Sequence, residues 1–405
     1  MGTRESKMMS SSISGLAASS STLTASASRL ANDRLAPSTK SIYYCDHDKG
    51  AIWSDLLTTD LLEYIPDHWS QFEPPSSCTN LLLAILYFLI FVFGCGGNGL
   101  VIVLYLKNKK LRSPSNLLLF NLAIADFFMI FKTPVFIYNS VKCGPALGSL
   151  GCDVYGFLGG LTGCGAIFSV AIASIDRYNV ISNPLNPRRL TTVTSTLAVL
   201  FIWAYSAFFA TLPLLQIFNR YTYEGFLTSC TVDYLAEETS VRAFVFCYFA
   251  AAWCVPVTII VCSYYGIYKA VGASEKSLRK IEDTTGGTSG KDKGKNSQKE
   301  EIKIAKTAAV LISLWLVSWT PYAAIALTGA TGNGALLNPG WSMIPALTAK
   351  IAATVDPFVY SLSHPKFKKE IEAMFGSKSQ GKGAANKAPA DDTATRSAIW
   401  PSMVH

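Results

Sequence analysis

A chain of 405 residues that is half hydrophobic and only 15% charged is too apolar for a soluble protein, which carries about 25% charged residues. Its mean hydropathy is +0.29 and its apolar residues are gathered in long runs, which excludes disordered, collagen-like and disulfide-stapled miniproteins. The net charge of +8 falls largely in short loops between those runs, so it reads as a topology signal rather than a nucleic-acid surface.

Residues 8–30 are mostly Ser, Ala, Thr and Gly, a composition that cannot bury a core, and residues 1–80 are expected to form a disordered outer tail. The first thirty residues hold no apolar signal-peptide core, so the first span is expected to act as its own insertion signal. Seven apolar segments follow, near 81–106, 116–140, 150–176, 195–216, 242–271, 303–328 and 342–363. Each is long enough to cross about 30 Å of hydrocarbon at roughly 1.5 Å per residue. Only a helix satisfies its own backbone there, so Pro134, Pro213, Pro256, Pro321 and Pro357 predict kinks rather than ends. The fold class is an all-α membrane protein, a seven-transmembrane helix bundle.

Orientation follows from loop charge. Lys107, Lys109, Lys110 and Arg112 fill the first loop, Arg188 and Arg189 the third, and seven Lys/Arg lie between Lys276 and Lys299. The positive-inside rule then places the amino terminus outside and the carboxyl terminus inside. The inner loop 274–299, rich in Gly, Lys and Ser, is expected to be flexible, and residues 377–405 to form a disordered inner tail. Between them, Phe367, Ile371 and Phe375 recur at four-residue spacing beside Lys366, Lys368 and Lys369. That pattern predicts an amphipathic helix over 364–376, lying on inner-leaflet lipid.

Ionisable residues inside spans cost a few kcal/mol each and are functional candidates by default. Away from the span ends they are Asp126, Lys132, Lys350 and Asp356, with Asp176 and Arg177 at the inner mouth of span three. Lys350 and Lys132 lie at similar depth, roughly 12 Å below the outer end at helical rise. A buried amine can attack an aldehyde to form a Schiff base, or it can pair with a carboxylate or line a wet cavity. Asp126 and Asp356 read as a hydrated cluster joining spans two and seven, open to sodium, water or a proton. Asp176-Arg177-Tyr178, with Glu301 opening span six on the same side, suggests a latch in which the arginine chooses between two carboxylates.

Cys152 and Cys230 both face the oxidising side, so a disulfide between them is expected; Cys45 and Cys78 form a weaker candidate pair. Gly156, Gly159, Gly160 and Gly163 fit close helix packing. Trp319-Thr320-Pro321-Tyr322 places a bulky aromatic beside a kink, as packing or as a pocket floor. Four scattered histidines make no metal site.

Together, Asn98, Asp126, Asp176-Arg177-Tyr178, Trp319-Thr320-Pro321-Tyr322 and Asp356-Pro357-Phe358-Val359-Tyr360 resemble the rhodopsin-like G-protein-coupled receptors. Lys350, six residues before Asp356-Pro357, resembles the retinal-binding lysine of the opsins. Ser363-His364-Pro365-Lys366-Phe367 is similar to the inner segment of invertebrate visual opsins, and the run Phe131 to Ser140 to span two of arthropod ultraviolet opsins.

The resemblance implies 11-cis-retinal held on Lys350, with Glu224 as the displaced counterion. Tyr155 occupies the place of the vertebrate glutamate counterion, and Trp319 contacts the ionone end. Tyr264 and Tyr360 stabilise the active state around Arg177. It also implies coupling to a heterotrimeric Gq-type G protein through the inner motifs, and a receptor kinase and arrestin acting on Ser377, Ser379, Thr393, Thr395 and Ser397. A second cation, Lys132, near the Schiff base in low dielectric disfavours its protonation, which predicts near-ultraviolet or short-wavelength absorption. The rival readings are a retinal photoisomerase and a non-photosensitive small-ligand receptor.

Overall fold

The computed structural model describes residues 50–183, 186–285, 292–363 and 365–376. Seven long helices form one bundle: α1 (Ser77–Lys107), α2 (Pro114–Val141), α3 (Gly148–Ser182), α4 (Thr192–Leu214), α5 (Thr239–Thr285), α6 (Asp292–Thr328) and α7 (Pro339–Ser363). Among the described residues, α1 to α6 are long and apolar enough to cross a membrane. Helix α7 completes the ring between α6 and α1 and carries the buried charges Lys350 and Asp356. Helix α3 is the central post, packed against α2, α4, α5 and α6.

Local chemistry sets the helix starts. Ser76, Ser113 and Thr191 each accept a backbone N–H three residues on, at 3.1, 3.3 and 3.2 Å, and so cap α1, α2 and α4. Prolines set the breaks. Pro134 has no N–H and crowds the carbonyl of Ile130, so α2 is interrupted at Lys132 and restarts at Thr133. In α5 a π-helical turn over Ala250–Cys254 takes up the disruption just before Pro256. Pro213, Pro321 and Pro357 lie inside their helices, and so does Pro345.

Beyond the apolar spans the helices continue. Helix α5 runs to Thr285 and α6 begins at Asp292, so the part of the expected flexible loop within those bounds is helical; 286–291 lie outside the described residues. Good helix formers such as Glu275, Lys276, Leu278 and Arg279 explain the extension. A last helix, α8 (Pro365–Gly376), follows α7 and buries Phe367 completely against the main core, with Ile371 packed beside it.

At the opposite end, β1 (Tyr221–Glu224) and β2 (Ser229–Val232) form an antiparallel hairpin, pairing Tyr223 with Cys230 and Glu224 with Ser229. The Cys152–Cys230 disulfide ties it to the start of α3, as expected. The weaker candidate pair does not form: Cys78 is a free thiol, while Cys143 is disulfide-bonded.

The expectation of disorder through residue 80 fails for 50–80. Short helices at Trp53–Leu56, Thr59–Leu62 and Asp67–Ser70 cover the hairpin and bury Trp53, Ile65 and Trp69. Two hydrogen bonds seal the cover: Tyr223 N donates to Tyr64 O at 3.1 Å, and the Arg220 side chain donates from Nη1 to Glu63 O at 2.8 Å. Two tryptophans burying this much apolar area outweigh the loop-like composition around them.

Candidate ligand cavity and the inner polar clusters

Helix α7 carries Lys350 into the interior beneath the hairpin. Its Nζ donates to Ala346 O, one turn back, at 2.8 Å, and lies 5.4 Å from the ring centroids of both Tyr87 and Tyr155. The break in α2 presents Lys132 from the other side. Its Nζ donates to Tyr155 O at 3.0 Å and stands 4.1 Å from the same Tyr155 ring. Both buried amines therefore stand near the same Tyr155 ring, and among the described residues neither has a carboxylate within 4.0 Å.

The carboxylate of the site is Glu224, the last residue of β1, which the hairpin turn inserts beneath the cover. Ser229 Oγ donates to its Oε1 and Tyr234 OH to its Oε2, each at 3.4 Å. Burial pushes this carboxyl up to about 7, opposed by the positive charge of Lys350, the two hydroxyl donors and, more weakly, Lys132. Glu224 thus faces both lysines across the cavity without touching either.

The cavity itself, ≈ 150 Å³, is lined by Lys350, Lys132, Tyr155, Glu224 and Trp319 and by the glycine face of α3. Those glycines do more than allow helices to approach. A Cβ on Gly156 would meet the Tyr221 ring at 2.3 Å, and one on Gly163 would meet Trp319 at 3.0 Å. Trp319 forms the floor, edge-on to Tyr322 at 6.1 Å, and Tyr322 OH donates to Thr231 of β2. The hydroxyls of Tyr87 and Tyr155 are buried with no hydrogen-bond partner among the described residues.

Deeper in the bundle, Asn98 Nδ2 joins α1 to α7 by donating to Ala353 O at 2.9 Å, and also to Gly94 O at 3.0 Å. Asp126 of α2 and Asp356 of α7 are both buried, on two helices that pack against each other. Pro357 packs where a Cβ on Gly97 would stand, at 2.9 Å.

At the far end, Arg177 pairs with Asp176 and donates to Ser115 Oγ at 3.1 Å, while Asp176 Oδ1 accepts Leu190 N at 3.4 Å. Tyr178 packs its ring into the space left by Gly266 of α5. Tyr264 OH donates to Ala305 O of α6 at 3.0 Å, close to the arginine. The side chains of Glu301, Tyr360, Pro365 and Lys366, and all of His364 and 377–405, lie outside the described residues.

Several participants escape a reading of the sequence. Ser229, Tyr234 and Tyr87 are common residue types whose roles depend on the hairpin and on α1 reaching the same space. Asn121 is another: it donates to Ser169 Oγ and accepts from Trp203 Nε1, both at 2.8 Å, and so locks α2, α3 and α4 together. A polar residue in an apolar span was its one signal.

The sequence profile described as "7 transmembrane receptor (rhodopsin family)" matches residues 97–360. The chain belongs to that family. Within it, the receptor is 42% identical to the ultraviolet-sensitive opsin of Apis mellifera over 312 residues, covering 77% of this chain and 84% of that one. It is 41% identical to Opsin-2 of Manduca sexta (78% and 84% covered) and 41% identical to Opsin Rh4 of Drosophila melanogaster (77% and 83% covered). Among solved structures, squid rhodopsin superimposes with a TM-score of 0.72 at 31% identity, over 78% of this receptor and 91% of the squid chain. The receptor is thus a homologue of insect opsins, a multi-pass membrane protein and not an enzyme.

Proposed function

We propose that this receptor is a light-activated, near-ultraviolet opsin that holds 11-cis-retinal on Lys350 and signals to a Gq-type G protein from the inner face of the plasma or photoreceptor membrane, its amino terminus outside. The observation that carries the proposal is the meeting of Lys350, Lys132 and Glu224 around Tyr155 in one enclosed cavity. An apolar, aromatic-walled space with a glycine face and Lys350 on its lining fits a long polyene aldehyde. Lys350 would hold retinal through its Nζ, and the bound retinal would supply the light-driven change of shape.

The protein's own groups set the rest. Two cations and one carboxylate surround Tyr155, and in a low dielectric such charges must balance closely. With Lys132 protonated and Glu224 ionised the pair is neutral, and nothing remains to offset a proton at Lys350 Nζ. That nitrogen is then held unprotonated, which gives near-ultraviolet absorption. The hairpin, its disulfide and the cover of residues 50–75 exclude water from the same nitrogen.

Trp319 lies next to Pro321, so a change of shape in the cavity presses on the kink of α6. Swinging the inner half of α6 moves Ala305 away from Tyr264 and releases Arg177 from Asp176 to face a G protein. Tyr360 and the segment His364-Pro365-Lys366 are assigned to the same inner docking face, and the polar tail to receptor kinase and arrestin. The test has two arms. Purified receptor with 11-cis-retinal should gain an absorption band that Lys350→Ala abolishes, and it should catalyse nucleotide exchange on a Gq-type G protein in light but not in darkness. A Lys350-dependent band without exchange would point to a photoisomerase; exchange without a band, to a receptor for diffusible ligands.

A further inference from the structure

Lys132 is held against α3 at one place only. Its Nζ donates to the carbonyl of Tyr155, and a Cβ built on Gly159 would lie 2.3 Å from that same Nζ. Tyr155 and Gly159 are four residues apart, so they stack on one face of the helix, and the Tyr155 carbonyl is the acceptor for the Gly159 N–H. A carbonyl oxygen has two lone pairs, and the bare backbone of a glycine leaves the second one open to an approaching ammonium. Any other residue at 159 would place its first carbon where the lysine tip now rests.

We infer that Gly159 is a specificity-determining position: its missing side chain is the seat that holds the Lys132 ammonium beside Lys350. The inference rests on the proposal that Lys132 sets the absorption band, and adds the residue that makes Lys132 effective. An ordinary non-bonded contact needs about 3.4 Å or more between the two atoms. An alanine methyl therefore expels the ammonium by about 1 Å and takes the Tyr155 carbonyl from it. The displaced tip loses its fixed distance to the Tyr155 ring and, with it, its fixed distance to Lys350.

A double-mutant cycle tests this. With 11-cis-retinal, Lys132→Ala should move the dark band from the near ultraviolet to the visible, and Gly159→Ala should move it in the same direction by itself. In the Lys132→Ala background, Gly159→Ala should produce no further shift. A Gly159→Ala shift of the same size in both backgrounds would mean that the methyl acts on the chromophore directly, and would overturn the inference. So would an unmoved band in Gly159→Ala when Lys132→Ala shifts it. An unmoved band in Lys132→Ala would instead refute the underlying reading of Lys132.

The retinal-free protein gives a second readout. Gly159→Ala should lower the melting temperature by about 2 °C or more, and Lys132→Ala should remove most of that loss, because the clash needs both groups. If Gly159→Ala yields no folded receptor, the double variant should restore it. Loss without restoration would show that the methyl collides with something other than Lys132, and would equally overturn the assignment.

Discussion

Burial raises the carboxyl of Glu224 well out of the ordinary carboxylate range. Its carboxyl takes a proton at about 7 in the folded, retinal-free protein, against an ordinary 4.5 when unfolded. Between those values the folded state binds more protons than the unfolded state, so this group's contribution to stability falls as pH rises from 4.5 to 7. Glu224→Gln should flatten that limb of the melting-temperature profile; an unchanged profile would mean that another group titrates there. At the inner end, Asp176→Asn removes the partner that restrains Arg177 and should raise nucleotide exchange in darkness severalfold, read in the same G-protein assay.

At the scale of elements, the glycine face of α3 decides where the hairpin docks. Gly156→Ala drives a methyl to 2.3 Å from the Tyr221 ring, and overpacking of this kind costs about 1–3 kcal/mol, measured as a lower melting temperature. Tyr221 anchors the hairpin by donating to Ala210 O at 2.9 Å, so the same change should displace Glu224 and weaken retinal binding. Much of this level is legible in the sequence. Long apolar runs mark the helices, and the few charges inside them mark Lys132, Lys350, Asp126 and Asp356, because burying a charge is costly enough to be rare. Cys152 and Cys230 are legible for the same kind of reason, as thiols on the oxidising side. Gly159, Ser229 and Tyr234 are not, since a glycine's reach and a hydroxyl's partner depend on which side chain arrives from another element. The seat of Lys132 emerges only once the break at Pro134 has set its direction.

Across the whole molecule, the cover of residues 50–75 closes the cavity from above, and no periodic pattern announces it. Trp53 and Trp69 are isolated aromatics in a segment rich in turns, and their burial is a property of the assembled bundle. Removing one of them should cost about 3–5 kcal/mol of local packing and open the cavity to water. Trp69→Ala should therefore speed attack by hydroxylamine on the retinal-loaded receptor in darkness; an unchanged rate would show that the hairpin alone is the seal. His68 Nε2, 2.9 Å from Leu337 O, ties this cover to the loop between α6 and α7. The cover thus lies over the hairpin that lines the cavity, and α6, which carries Trp319 into the same cavity, runs on to the inner face.

We propose that a second buried lysine, not the chromophore site alone, gives this receptor a near-ultraviolet band. The most direct measurement is the dark absorption spectrum of the receptor reconstituted with 11-cis-retinal, beside that of Lys132→Ala. The account predicts a near-ultraviolet band in the native receptor and a visible band in the variant. A visible band in the native receptor, or a near-ultraviolet band that Lys132→Ala leaves in place, would contradict it.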